Sequence, residues 1–340
     1  MDRIMVYKLI YALAACGGRD RELFGPHAPR GVEAFACSAP GTGFPELWFE
    51  LPLTGDPWFD LHVLTAREDL SAGKPPVPET CGGYPAVFSW FAGAENGRQL
   101  ALSWDLNTGS QPAPAVQLLL SRRDDRAACD FLEAAGNPEA VPAYRTFLSR
   151  LPEDWFACYL GVFPSRPGHH LRVECIPSDR QQREYARDPS LIAQHLSQVG
   201  FTPLTDSLLS GCQALAAAPF QFEFQFDVNE KGSADITLGA SVRFALGDGA
   251  SERMQHFTVG GAAGRLMEEL EKQGLADGRW RRLEETAFAQ KLTFGPESCL
   301  IFCAPIFVKL RWRAGEPLDA KAYLMAGVQE RAEKQQTEEQ

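Results

Sequence analysis

The segment spanning residues 220–244, FQFEFQFDVNEKGSADITLGASVRF, admits few folds. Phe220, Phe222, Phe224 and Phe226 alternate with Gln221, Glu223, Gln225 and Asp227, the period of a strand lying between an apolar and a polar environment. After the turn signal Asn229-Glu230-Lys231-Gly232, Ile236, Leu238, Ala240 and Val242 alternate with Asp235, Thr237, Ser241 and Arg243. The segment reads as a hairpin with one greasy face and one wet face. That wet face looks either at solvent or into a hydrated cavity.

The same unit recurs along the chain. Strand pairs are expected at residues 47–53 with 58–64, 86–92 with 99–105, 155–163 with 169–176, and 306–313 with 318–325. Helical sequence is expected at 124–150, broken near Gly136-Asn137-Pro138, and at 189–199, 205–217, 265–273 and 279–291; an amphipathic helix is expected to open the chain on Met1, Met5, Leu9 and Ala12. The last three hairpins each follow a helical pair. Repetition of one unit means one architecture. The expected class is α+β, with about ten antiparallel strands in repeated ααββ units; residues 1–326 form one domain and 327–340 a polar tail.

The helical pairs carry apolar stripes, such as Leu191, Ile192, Leu196 and Val199, that can cover one face of every strand. An open sheet would leave its other face in solvent and its edges unprotected. Closure into a barrel turns the polar face into a chamber lining. Basic residues at polar parity concentrate late, at Arg172, Arg243, Lys309, Arg311, Arg313 and Lys321, joined by Tyr323, while acids lie early at Glu50, Asp60 and Asp105. Closure would bring these together around one cavity, where Arg and Lys could grip a diphosphate and stabilise it as a leaving group. The bland alternative is an open sheet whose charges are solvated or mutually paired.

A formal net charge of -11 argues against general attraction to nucleic acid or an anionic membrane. Nine cysteines without a CxxC pair suit reduced thiols in a cytoplasmic protein better than a disulfide framework or a metal site. No apolar run approaches the roughly 18 residues of a transmembrane helix. The glycine-rich runs near residues 247–249 and 260–264 lack Walker spacing, and no Gly-x-Ser-x-Gly elbow occurs. His169-His170 reads as a turn edge, and Asp124-Asp125, faintly like a magnesium motif, reads as a helix start.

With these hairpins, helical pairs and late basic residues, the chain resembles the ABBA-type prenyltransferases, in which ααββ units close ten strands around a reaction chamber. Lys321-Ala322-Tyr323 matches the family's Lys-x-Tyr element, and Lys309-Leu310-Arg311 matches its alternating basic run. The resemblance implies transfer of an allylic prenyl group from a prenyl diphosphate to an aromatic small molecule or a peptide side chain. Arg172, Arg243, Lys309, Arg311, Lys321 and Tyr323 would hold the diphosphate, and Glu50 would take the acceptor's proton. Trp48, His62, Asp105, Tyr159, Gln221, Glu223 and Gln225 would line the chamber, with Trp48, Tyr159 and Tyr323 shielding the cation. No protein-bound metal is expected; Mg2+ accompanying the diphosphate is the one cofactor left open, as is the oligomeric state. The competing function is a noncatalytic barrel or open sheet that binds a peptide or lipid-like ligand.

Overall fold

Alternation along the strands resolves into two faces of a closed wall. The computed structural model describes residues 21–26, 46–66, 84–94, 97–105, 114–120, 125–164, 171–244, 257–294 and 297–330. Its strands are β1 (Glu46–Pro52), β2 (Asp60–Ala66), β3 (Gly97–Trp104), β4 (Ala115–Leu120), β5 (Trp155–Val162), β6 (Leu171–Pro177), β7 (Gln221–Val228), β8 (Ala234–Arg243), β9 (Phe288–Phe294), β10 (Glu297–Arg313) and β11 (Asp319–Glu330). β1 to β8 pair in sequence order, β8 pairs with β10, β10 with β11, and β11 returns to β1. The result is a closed antiparallel barrel of ten strands, with β9 as an eleventh beside the first half of β10.

The closing register sets Glu50 opposite Tyr323 and Trp48 opposite Met325. Because strand parity has period two, this register sends Trp48, Glu50, Lys321 and Tyr323 inward and Leu47, Phe49, Ala322 and Leu324 outward. The outward set meets the helices α1 (Arg21–Phe24), α2 (Pro85–Gly93), α3 (Asp125–Ala134), α4 (Ala140–Arg150), α5 (Asp179–Arg187), α6 (Pro189–Gln198), α7 (Asp206–Ala217) and α8 (Ala262–Lys272), together with a 3-10 turn at Gly278–Thr286.

The core lies between this outer layer and the barrel. Phe222, Phe224 and Phe226 are fully buried, each contributing about 1.5–3 kcal/mol of apolar burial. Trp155 stacks on Phe224 at 4.9 Å between centroids, and its indole N–H donates to Tyr185 at 2.9 Å. Helix α5 starts where Ser178 accepts from the backbone N–H of Gln181. Its Gln182 then donates to the carbonyls of Ala216, Ala218 and Phe220 and accepts from the N–H of Phe222. One side chain thus satisfies the chain entering β7.

Several local expectations need correction. Residues 86–92 form helix α2 rather than a strand: Pro85 occupies its first turn, and Val87, Phe88 and Phe91 fall on one buried helical face. β3 pairs instead with β2 and with β4, an apolar run carrying one Gln. The helix expected over 279–291 is a 3-10 turn that gives way to β9. Helix α5, rich in Arg and Gln, was not anticipated, and β11 pairing runs on to Glu330. The opening helix, His169-His170 and Asp124 lie outside the described residues.

Candidate active site

The barrel lumen holds a cavity of about 1160 Å3, large enough for a drug-sized ligand. Its wall changes character along the axis. Towards the β10–β11 turn it carries Arg172, Asp227, Arg311, Arg313, Asp319 and Lys321; towards the other end it carries Trp48, Ile306 and Met325 beside Glu46, Gln99, Gln221 and Arg243. Phe302, Ile306, Tyr323 and Met325 form an apolar cluster separate from the main core, with Trp48 and Phe307 against it. Phe307 stacks on Tyr323 at 3.9 Å, and Trp48 meets Phe307 edge-on at 5.5 Å.

Glu50 sits where charged and aromatic walls meet. Lys321 Nζ donates to its Oε1 and the Tyr323 hydroxyl to its Oε2. His62 Nε2 lies 3.4 Å from Oε2 without forming a hydrogen bond. The other imidazole nitrogen shares a 2.6 Å hydrogen bond with Ser103 Oγ, which also accepts from Gln117 at 2.6 Å. Burial pushes the Glu50 carboxyl up, but Lys321, His62 and Lys309 outweigh it and hold it well below the usual carboxylate range. Glu50 is therefore an ionised carboxylate aimed into an aromatic chamber.

The cations are not a bare cluster. Arg172 donates from Nε to Asp227 at 2.6 Å and from Nη2 at 3.1 Å. Arg243 meets Glu223 at 3.3 Å, and Arg311 meets Asp319 at 3.1 Å and Glu316 at 3.4 Å. Carboxylates outnumber Lys and Arg along the lining. Lys309 differs: its ammonium donates to the Gln225 amide oxygen rather than to an acid. It reaches there over Gly239, where a Cβ would meet Lys309 Cε at 2.6 Å and Gln225 Cβ at 3.2 Å. Burial and then Arg172 push Lys309 down to about 8.

Against this geometry the comparisons are specific about shape. No family model matches the chain, and no curated protein matches it in sequence. Its structure is similar to the crystal structure of the prenyltransferase PriB in apo form, with a TM-score of 0.56 and 14% identity over 95% of each chain. It is also similar to the 6-dimethylallyltryptophan synthase from Micromonospora olivasterospora in complex with DMASPP and Trp, with a TM-score of 0.50 and 13% identity, covering 95% of this chain and 97% of that one. The chain has an ABBA prenyltransferase-like fold.

Within this ABBA barrel, Trp48, Glu50, His62, Asp105, Tyr159, Arg172, Gln221, Gln225, Arg243, Lys309, Arg311, Lys321 and Tyr323 all border the cavity. Glu223 does not: it has inward parity but is only 2% exposed, buried against Arg243 and Glu174. Arg311 stands at the mouth, its side chain 40% exposed. Sequence reasoning missed Asp227, Asp319, Ser103, Gln117, Glu174 and Gly239. Their inward parity was a usable signal, but which acid meets which base depends on register across strands. Among the described residues no group of three or more His, Cys, Asp or Glu side chains is placed to hold a metal ion. Cys129, Cys158, Cys175, Cys212 and Cys303 are buried thiols, and no helix among the described residues is long and apolar enough to cross a membrane.

Proposed function

We propose that this protein is a prenyltransferase that joins an allylic prenyl group from a prenyl diphosphate to an aromatic acceptor, a small molecule or a peptide side chain, inside the barrel. The observation that carries the reading is the position of Glu50, an ionised carboxylate between a wall of paired acidic and basic side chains and the Trp48–Phe307–Tyr323 aromatic wall. The likeness in fold to PriB, and to a synthase crystallised with DMASPP and Trp, supports the same substrate classes.

Lys309, Lys321, Arg172 and Arg243 hold the diphosphate as its negative charge grows on C–O cleavage. The stacked Phe307 and Tyr323 rings and Trp48 shield the allylic cation from water and stabilise it through their π faces. The acceptor attacks the cation, and Glu50 takes the proton it sheds. Departure of the acceptor's proton to Glu50 is favoured as Lys321 turns from Glu50 towards the diphosphate, because the carboxylate then regains basicity.

The test is a mass-spectrometric screen of the purified protein with prenyl diphosphates of several lengths and a panel of aromatic acceptors, Glu50→Gln serving as control. Prenylated product formed by the wild type and lost in Glu50→Gln is expected. If no diphosphate binds in calorimetry and no product forms, the reading is overturned. One observation favours a second reading, a noncatalytic barrel binding a peptide or lipid-like ligand: Arg172, Arg243, Arg311 and Lys321 already have carboxylate partners. The same calorimetry separates the two.

A further inference from the structure

Glu174 is an acid on the chamber wall that the chemistry above leaves idle. It lies on β6 two positions from Arg172, opposite Tyr159 on β5 and Gln225 on β7. Glu223 stands two positions from Gln225 on β7 with the same inward parity, so the two acids are diagonal neighbours across the strand pair. Two buried carboxylates on neighbouring strands repel, which favours the protonated form of one of them. Arg243 meets Glu223 at 3.3 Å, so that acid has a cationic partner. Burial and then Glu223 accordingly push Glu174 up to about 8.

Lys309 ties this acid to the diphosphate. From β10 it passes over Gly239 on β8 to reach Gln225 on β7, and Gln225 is the register partner of Glu174. Neighbouring strands stand about 4.8 Å apart. An anion held by Lys309 would therefore lie about one strand spacing from Glu174.

Resting on the prenyltransferase reading, we propose that Glu174 is a general acid that protonates the departing diphosphate while Lys309 holds it. The bond between the prenyl C1 and the diphosphate oxygen breaks with both electrons going to that oxygen. The Glu174 proton moves to a diphosphate oxygen, leaving a carboxylate between Lys309 and the Glu223–Arg243 pair. The acceptor bonds to C1 and gives its own proton to Glu50. Protonated diphosphate leaves, Glu174 regains a proton from water, and Glu50 releases one to water.

The experiment uses the full chain with whichever prenyl diphosphate the wild type turns over. Glu174→Gln keeps the shape and a hydrogen-bond donor but has no acidic proton. Its kcat is expected to fall by about 10²–10³-fold with KM for the diphosphate nearly unchanged. The alkaline limb of the wild-type kcat profile should vanish with it. Lys309 titrates in the same region in the free protein, but a bound diphosphate's negative charges hold its ammonium protonated, so its titration shows in diphosphate affinity rather than in kcat at saturation. Tyr159, Cys158 and Tyr323, the other titratable groups facing Glu174, are all pushed up, first by burial, and stay neutral across this range. Glu223→Gln removes the like charge and leaves Arg243 beside Glu174, so it should move the limb to lower pH. A Glu174→Gln enzyme that keeps the wild-type rate, or loses rate but keeps the limb, overturns the assignment alone, provided inorganic diphosphate still binds and so reports an intact site. A wild type inactive with every diphosphate overturns both readings.

Discussion

Lys321, near the start of the last barrel strand, donates to Glu50 on the first, so one ion pair spans the seam that closes the barrel. Their side chains are only 5% and 13% exposed. Removing one partner from a buried pair strands the other charge and costs about 3–5 kcal/mol. Lys321→Met should therefore destabilise the protein by about that amount in urea unfolding. The double variant Lys321→Met, Glu50→Gln should recover most of the loss. A double variant as unstable as the single one would mean that packing, not stranded charge, sets the cost.

Glu50 and Glu174 should pull stability in opposite directions with pH. Glu50 is held below its ordinary 4.5, so its contribution is complete above that pH and lost as pH falls through the native value. Glu174, near 8 against an ordinary 4.5, keeps a proton that the unfolded chain lacks. Its effect is full stability below about pH 4.5 and a decline as pH rises towards 8, at most about 1.4 kcal/mol per pH unit. Denaturation midpoints of wild type and Glu174→Gln across pH 5–8 should diverge, the variant being flatter. Parallel curves would contradict the native protonation state.

Gly239 is needed for the path of Lys309, because a Cβ would press on Lys309 Cε at 2.6 Å. Gly239→Ala should push the ammonium away from Gln225 and weaken binding of inorganic diphosphate about tenfold, equivalent to ~1.4 kcal/mol. Calorimetry reads this directly. Undiminished affinity with Ala at this position would remove Lys309 from the diphosphate site.

Asp227 competes with any anion for Arg172, gripping it through two hydrogen bonds. Asp227→Asn removes that negative charge from the wall, and the guanidinium keeps its stack at 4.3 Å over Phe163. Inorganic diphosphate should then bind several-fold more tightly, roughly 1 kcal/mol better. Weaker binding would indicate that Asp227 orients Arg172 productively.

Much of the wall could be read from the chain because strand parity is local. Alternation placed Phe222, Phe224 and Phe226 outward and Gln221, Gln225 and Arg243 on the cavity side. Residues 86–92 misled because a short apolar run suits a strand or a buried helix equally, and the helix-favouring Pro85 was outweighed by the turn-like residues after it. The pairing of Arg172 with Asp227 was not legible at all. Those two residues stand on different strands, and they meet because the β6–β7 register sets them directly opposite each other. Glu174 reads from sequence as one more polar residue; burial first and then Glu223 push its carboxyl up in the fold.

The seam joining Glu46 to Gly327 also sets when the chamber can exist. While the ribosome is still adding residues, β1 has a free edge and Glu50 has neither Lys321 nor Tyr323. The earliest strand must wait for the latest, a contact of very long sequence separation that favours slow assembly. Truncation before β11 therefore does not yield a shorter barrel with a weaker site. It leaves β1 and β10 each with an unpaired edge, and the first residue of the proposed chemistry is stranded on one of them.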